Sequence, residues 1–277
     1  SHSATGKNVL TVGAVREVTN YSQASNVIMS SFSGFGPIDD GRIKPDLVSK
    51  GVDVFSTVSN GGYSSYSGTS MASPTITGAI GLILQHQNNL DNNTVLRSAT
   101  IKALLIHTTK EAGGNPGPDY KFGWGLADIE AAVDHMTENH SNSGQFIKED
   151  TLSQGQTKDY IFNYDGQGEF RATLVWTDTP HTPLPNQLDA ATKALVNDLD
   201  LRIIKTSSGT STTYFPWTLD KDNPGNAAIR TQDNDTDNIE QVLIDDSDTT
   251  GGSYLIRVTH KGTLSFPSGT NSQAFSL

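Results

Sequence analysis

The chain has 277 residues, and its 30 acidic residues outnumber its 19 lysines and arginines, which gives a formal net charge of −11. This acidic balance argues against nucleic acid as a partner, because the phosphates would be repelled. No apolar run approaches the roughly 20 residues that a membrane-spanning helix needs, and the absence of cysteine excludes disulfides, thiol catalysis and zinc–thiolate sites.

The first half of the chain alternates short apolar strands with helices. Two strands and then three helices are predicted, in chain order: 9–15, 52–58, 72–87, 99–107 and 127–135. This alternation favours an α/β fold with a mostly parallel sheet over residues 1–138.

A polar segment, residues 139–144, is predicted to be a linker, and beyond it the hydrophobic period changes to two. Apolar and polar residues alternate around Tyr160, Leu174 and Leu201, and clusters of Gly, Asn, Asp and Pro separate these runs. The pattern predicts that residues 145–277 form an all-β antiparallel sandwich or jelly roll.

The most informative stretch is residues 68–74, with the sequence GTSMASP, which precede an apolar run beginning at Ile76. In physical terms it is a glycine-opened turn that leads into a buried helix, with Ser70 at the helix N-terminus. Free backbone N–H groups and the positive end of the helix dipole would both stabilise the oxyanion that forms when a hydroxyl attacks a carbonyl. The alternative for a serine at this position is a helix cap.

The complete motif resembles the nucleophile motif of the subtilisin-like serine proteases, the subtilase family. Further blocks resemble that family in its order and at roughly its spacing: NVLTVGAV at 8–15, SFSGFGP at 31–37, GRIKPDL at 41–47 and FGWGLA at 122–127. The second half resembles, more weakly, the jelly-roll β-barrel domain appended to some secreted members, through VNDLDL at 196–201 and DNIEQV at 237–242. The resemblance implies the C-terminal part of an α/β catalytic domain followed by a β domain, in a secreted, extracellular protein.

By the same resemblance, Ser70 would be the nucleophile of a serine endopeptidase that hydrolyses polypeptide substrates through an acyl-enzyme. Its backbone N–H would be one oxyanion donor. Gly68 would supply the backbone conformation or clearance of the turn. The hydroxyl of Thr69 would either assist or simply bond its own backbone.

The base and the orienting carboxylate of a serine triad are not evident before Ser70, where the subtilisin order requires them. The histidine available there is His2, which lacks the family's His-Gly-Thr context, and no preceding acid has the family's Asp-Thr-Gly or Asp-Ser-Gly context. We therefore expect the catalytic Asp, His and oxyanion Asn to lie upstream, in an N-terminal part of the same protease that would be this chain's partner. The 277 residues alone would then be inactive.

Two other interpretations remain open from the sequence. The chain could be a non-catalytic adhesion or binding module built on the β-sandwich. It could also be an inactive fragment with a structural role.

Acidic residues of the second half form a candidate calcium site. Asp198 and Asp200 are two residues apart in a predicted strand, so both project from one face. Asp235, Asn238 and Glu240 belong to a dense run of oxygen-bearing residues. Because calcium binds six to eight oxygens from carboxylates and carbonyls, we predict calcium as a structural cofactor at these five residues. The alternative is a solvated acidic loop.

Overall fold

A computed structural model describes residues 2–183, 191–207, 209–266 and 269–277. Within these ranges there are three α-helices: α1 (Thr69–Leu90), α2 (Ser98–His107) and α3 (Ile129–Ser141). Short 3-10 helices cover His2–Thr5, Ala24–Asn26 and Ser59–Gly61. The strands are β1 (Val12–Val15), β2 (Leu47–Lys50), β3 (Val54–Thr57), β4 (Tyr63–Tyr66), β5 (Glu149–Ser153), β6 (Lys158–Tyr164), β7 (Phe170–Trp176), β8 (Asp198–Ser207), β9 (Thr210–Tyr214), β10 (Ile239–Ile244), β11 (Gly252–Lys261) and β12 (Ser272–Ser276).

Residues 2–141, here called the α/β part, are organised around the parallel pair β1–β2, in which Val12 lies opposite Leu47. Helix α1 buries Ile76 and Ile83 in a core shared with β2, α2 and α3. Strands β3 and β4 form a separate antiparallel hairpin that leads directly into α1. The predicted mixture of helices and sheets is confirmed.

Residues 145–277, here called the β part, contain two four-stranded antiparallel sheets with strand orders β10-β7-β12-β5 and β6-β11-β8-β9. Alternate residues of both sheets point inward and share one apolar core, which includes Leu174, Val242, Leu201 and Val258. Because the sheets face each other, they form a sandwich in the described residues and do not close into a barrel. The predicted antiparallel β architecture is confirmed at this level.

The two parts are joined by a third apolar core. Ile106 and Trp124 of the α/β part pack there with Val175, Trp217 and Ile239 of the β part. Helix α3 ends at Ser141, within the segment that was predicted to be a linker. No helix in the described ranges is both long and apolar enough to cross a membrane.

Candidate active site

Ser70 is the second residue of α1, and its side chain is exposed. Gly68, directly before the helix, has extended backbone, and its N–H donates to the carbonyl of Gly51 over 2.8 Å. The Gly68 carbonyl in turn accepts from the N–H groups of Met71 at 3.0 Å and Ala72 at 3.3 Å. These bonds fix the first turn of the helix, so that Ser70 is presented at a defined place on the surface.

Gly51, which follows β2, allows the start of α1 to approach the parallel strands. A Cβ at this position would lie 2.6 Å from Cβ of Ala14 and 2.8 Å from the carbonyl oxygen of Gly68. The buried hydroxyl of Ser49 also donates to the Ala72 carbonyl at 2.9 Å. Neither residue was predicted from the sequence, although Gly51 directly precedes the strand predicted at 52–58, and a glycine beside a strand is a signal of close backbone approach.

The hairpin β3–β4 delivers the chain to Ser70. Asp53, in a left-handed conformation with φ of 51°, donates its N–H to the Ser67 hydroxyl over 2.9 Å. The hydroxyl of Ser67 therefore stabilises the base of the hairpin. Phe55 and Tyr63 stack with ring centroids 5.6 Å apart, and both are largely exposed.

The groups around Ser70 suit an oxyanion better than they suit proton transfer. In the part of the chain that the structure describes, neither the hydroxyl nor the N–H of Ser70 has a hydrogen-bond partner, and no histidine or carboxylate contacts the hydroxyl. The side chain of His2 lies outside the described residues. An unpaired N–H at a helix N-terminus is a ready donor to a negatively charged oxygen, but a serine hydroxyl without a base is a poor nucleophile.

The structure brings together three of the five predicted calcium ligands. Asp198 and Asp200 on β8 and Glu240 on β10 lie in one group, together with Asp233. Two cations also belong to this acidic group. Arg202 pairs with Asp200 at 3.1 Å and with Asp233, and Lys261 pairs with Asp200 at 3.0 Å and with Asp233 at 2.7 Å.

Two carboxylate oxygens of the acidic group are buried without a partner, Oδ1 of Asp198 and Oε1 of Glu240. Burial, opposed by Lys261 and aided by the neighbouring Asp200 carboxylate, raises the pKa of Asp198 to about 6. Burial also raises the pKa of Glu240 well above its usual range, although the Leu201 N–H donates to its other oxygen at 2.6 Å. The four carboxylates are thus incompletely neutralised by the two cations.

The other two predicted ligands have other partners. Asp235 pairs with Lys193 at 2.5 Å and is largely exposed. Asn238 is buried and donates to the carbonyl of Trp176 at 2.6 Å and to Oδ1 of Asn8 at 3.1 Å. Within the described residues, no group of three or more His, Cys, Asp or Glu side chains has an arrangement that could hold a metal ion.

A sequence profile of the Subtilase family (Peptidase_S8) matches residues 1–125, which include β1, β2, Ser70 and all of α1. Over these residues the chain is similar to the subtilase family. The resemblance inferred from the motif around Ser70 is confirmed.

Two curated relatives agree with this similarity. The serine protease/ABC transporter B family protein tagA of Dictyostelium discoideum is 29% identical over 229 residues, covering 71% of this chain and 13% of the relative. The minor extracellular protease Vpr of Bacillus subtilis is 33% identical over 167 residues, covering 56% of this chain and 20% of the relative. The solved structure of the Clostridium perfringens CspB protease is 32% identical, with a TM-score of 0.41, and covers 50% of this chain and 28% of that one.

The chain therefore spans a small fraction of the length of the curated relatives that it matches. The similarity to tagA covers 71% of the chain, which is more than residues 1–125 make up. It therefore extends beyond the segment that matches the family profile.

Proposed function

We propose that the chain is the serine-bearing part of a subtilisin-type serine endopeptidase, with Ser70 as the nucleophile. The observation that supports this most directly is the exposed Ser70 at the start of α1, with its hydroxyl and its N–H both unpaired in the described residues. Gly68 and Thr69 form the turn that presents it. The substrates would be polypeptides.

In the proposed mechanism Ser70 Oγ attacks the carbonyl carbon of the peptide bond, and a histidine from outside these 277 residues accepts the hydroxyl proton. The N–H of Ser70 donates to the oxyanion of the tetrahedral intermediate, aided by the dipole of α1. The histidine then protonates the leaving amine, and water releases the acyl group by the reverse sequence. An aspartate would orient the histidine, and an asparagine would be the second oxyanion donor, both also from outside this chain.

The first test concerns the reactivity of Ser70 toward a fluorophosphonate probe. The 277-residue chain alone should remain unlabelled, whereas the full-length protease should be labelled at Ser70. Ser70→Ala in the full-length protease should lower kcat by roughly 10⁶-fold, the magnitude known for loss of the nucleophile in subtilisin. Thr75→Ala, a hydroxyl substitution one turn further along the exposed face of α1, is the matched control and should retain activity.

Labelling of the isolated chain would contradict the need for an external base. Full activity of the Ser70→Ala protease would contradict the catalytic role itself and would leave the binding-module and inactive-fragment interpretations.

We further propose that an N-terminal part of the same protease packs on the outer face of α1. Leu82 is 66% exposed there and Leu84 is 41% exposed. Gly78 and Gly81 also have open space beside them. Apolar and small residues on one helix face suit close packing against another segment. An extracellular location is proposed as well, on the strength of the name of the Bacillus subtilis relative.

A jelly-roll topology is proposed for the β part. If strands β5 to β12 are numbered 1 to 8, the strand orders of the two sheets are 6-3-8-1 and 2-7-4-5. This order supports two interleaved Greek keys.

Structural calcium is proposed at the acidic group, with Asp198, Asp200 and Glu240 as its protein ligands. These carboxylates would have to move closer together on binding, since within the described residues no three such side chains are placed to hold a metal ion. The unpartnered oxygens of Asp198 and Glu240 support a cation between them. If calcium binds there, it should raise the melting temperature, by an amount equivalent to about 2.7 kcal/mol at a hundredfold excess over Kd. Asp198→Asn should abolish this response, whereas Asp222→Asn, on an exposed turn, should preserve it. A melting curve that is identical with calcium and with chelator would reject the site.

A further inference from the structure

A cavity of about 580 Å³ lies where α2 and α3 meet the edge of the β-sandwich. Its lining includes His107 of α2, His135 of α3 and three phenylalanines, Phe146, Phe162 and Phe170. The volume falls within the range of roughly 300–1,000 Å³ that is usual for small-ligand sites. The cavity is separate from the surface turn that presents Ser70.

The aromatic rings of this cavity form a continuous wall. Ring centroids are 5.0 Å apart from His107 to His135, 5.9 Å from His135 to Phe146, 5.6 Å from Phe146 to Phe162 and 5.3 Å from Phe162 to Phe170. These spacings are those of offset and tilted aromatic contacts. A further ring could therefore pack against the wall in the same way.

The two histidines present polar atoms to the cavity. Nδ1 of His107 lies 3.0 Å from the Thr173 hydroxyl, but Nε2 of His107 and both ring nitrogens of His135 have no hydrogen-bond partner in the described parts of the chain. None of these three nitrogens is sealed off from water-sized molecules, and both side chains are only partly buried. Accessible, unpartnered nitrogens inside an aromatic cavity are groups that a ligand can use.

The charges around the cavity favour a neutral ligand. Burial lowers the pKa of both histidines, and for His107 the neighbouring His135 and Arg171 lower it further, so both imidazoles are neutral at pH 7. Arg171 donates to the His107 carbonyl at 2.8 Å, and Lys148 donates to a backbone carbonyl at 2.6 Å. Asp159 is held in a two-bond ion pair by an arginine of β11. The nearby cations disfavour a positively charged guest, and both already donate to backbone carbonyls within the described residues.

We propose that this cavity binds a neutral phenolic ring, whose hydroxyl donates to an imidazole nitrogen of His135 while its face packs against Phe146 and Phe162. A free phenol and the tyrosine side chain of a polypeptide both offer this chemistry. The site does not depend on the proposed peptidase activity.

The test compares three ligands on the purified chain at pH 7.5, by saturation-transfer NMR and by melting temperature. p-Cresol is expected to bind saturably, and toluene, which has the same ring without the hydroxyl, is expected to bind about fivefold more weakly, as befits one neutral hydrogen bond. N-acetyltyrosinamide distinguishes the two sources: tighter binding than p-cresol identifies a polypeptide side chain, and weaker binding identifies a free phenol. Absence of saturable p-cresol binding up to about 10 mM would overturn the proposal, and so would equal binding of toluene.

Variants locate the hydrogen bond. His135→Phe keeps an aromatic ring but removes both nitrogens, and it should weaken p-cresol binding about fivefold, to the level of toluene. His140→Phe makes the same change on the same helix at an exposed position, and it should leave binding unchanged. Equal effects of the two variants would overturn the assignment. If His135→Phe does not fold, the ¹⁵N chemical shifts of the His135 imidazole in the unmodified chain test the same assignment. They should change on adding p-cresol, and an absence of change would overturn the assignment.

Discussion

At the scale of single residues, the position of Ser70 is set by hydrogen bonds between neighbouring residues and not by contacts of its own side chain. The Gly68 N–H bonds the Gly51 carbonyl, and the Ser49 hydroxyl bonds the Ala72 carbonyl. Both bonds tie the first turn of α1 to the end of β2. The geometry of a nucleophile on such a turn therefore depends on packing against the parallel strands, because the exposed side of the turn has few contacts.

Two glycine substitutions test this dependence. Gly51→Ala places a Cβ 2.6 Å from Cβ of Ala14 and 2.8 Å from the Gly68 oxygen, so it should lower the free energy of unfolding by roughly 1–3 kcal/mol. Gly78→Ala, within α1 and with nothing within 4 Å of its added Cβ, should instead raise it by about 0.5–1 kcal/mol. Urea denaturation of the two variants measures both effects. Equal stabilities would show that the start of α1 can shift away from β1 at little cost.

The sequence predicted the identity of the candidate nucleophile but not the residues that support it. A seven-residue motif names Ser70 directly, whereas Gly51 matters because of a distance to Ala14 that only the folded chain creates. The acidic group shows the same limit. Asp198 and Asp200 share a strand face as their spacing predicts, but Asp235 turns to Lys193 because its loop lies beside that lysine. Sequence spacing is informative within a strand and uninformative across loops.

At the scale of elements, the periodic segments were predicted well and their ends less well. The helix predicted at 72–87 extends over Thr69–Leu90, because its first turn is exposed and has no apolar period to read. The strand predicted at 9–15 is reduced to β1, Val12–Val15, where pairing with β2 begins. Strand β4, Tyr63–Tyr66, was missed because its sequence YSSY has no period of two and lies largely exposed on a hairpin with no core behind it.

The packing of α2 against β7 and α3 predicts an acid-sensitive contact. Burial depresses the pKa of His107 well below its usual value, so the unfolded chain takes up a proton near pH 6.5 while the folded chain does not. This contribution to stability is complete above pH 6.5 and is lost as the pH falls below it. Between pH 6.5 and 5.5 the free energy of unfolding of the His107→Gln variant should therefore fall by about 1 kcal/mol less than that of the unmodified chain.

Urea unfolding at the two pH values measures this difference. His140→Gln, on the exposed side of α3, should follow the unmodified chain at both. If His107→Gln shows the same loss as the unmodified chain, then His107 is not the titrating group.

At the scale of the whole molecule, the α/β part and the β part behave as one structural unit in the described residues. Lys7 donates from the α/β part to Asp178 at 2.5 Å and to the carbonyls of Thr179 and Ala194, each at 2.6 Å. Arg97, directly before α2, donates to the carbonyls of Asp150 and Phe275 on β5 and β12. Together with the shared apolar core, these contacts couple the unfolding of the two parts.

Lys7→Met tests this coupling. The Asp178 side chain is completely buried, so removal of its cationic partner leaves an uncompensated charge and should cost about 3 kcal/mol. Lys221→Met, which removes one partner of an exposed pair with Asp222, should cost under about 1 kcal/mol. Urea denaturation followed by tryptophan fluorescence measures both, and the unmodified chain should show a single transition. Two separate transitions in the unmodified chain would contradict the coupling.

The exposed residues at the end of α3, Ser141 to Ser143, have a consequence for the integrity of the chain. A single proteolytic nick there would cut the polypeptide without touching the apolar core or the Lys7 contacts that join the two parts. The nicked molecule would still migrate as one particle on a native gel, and it would separate into two bands only after denaturation. An intact polypeptide chain between the two parts is thus not needed to hold them together.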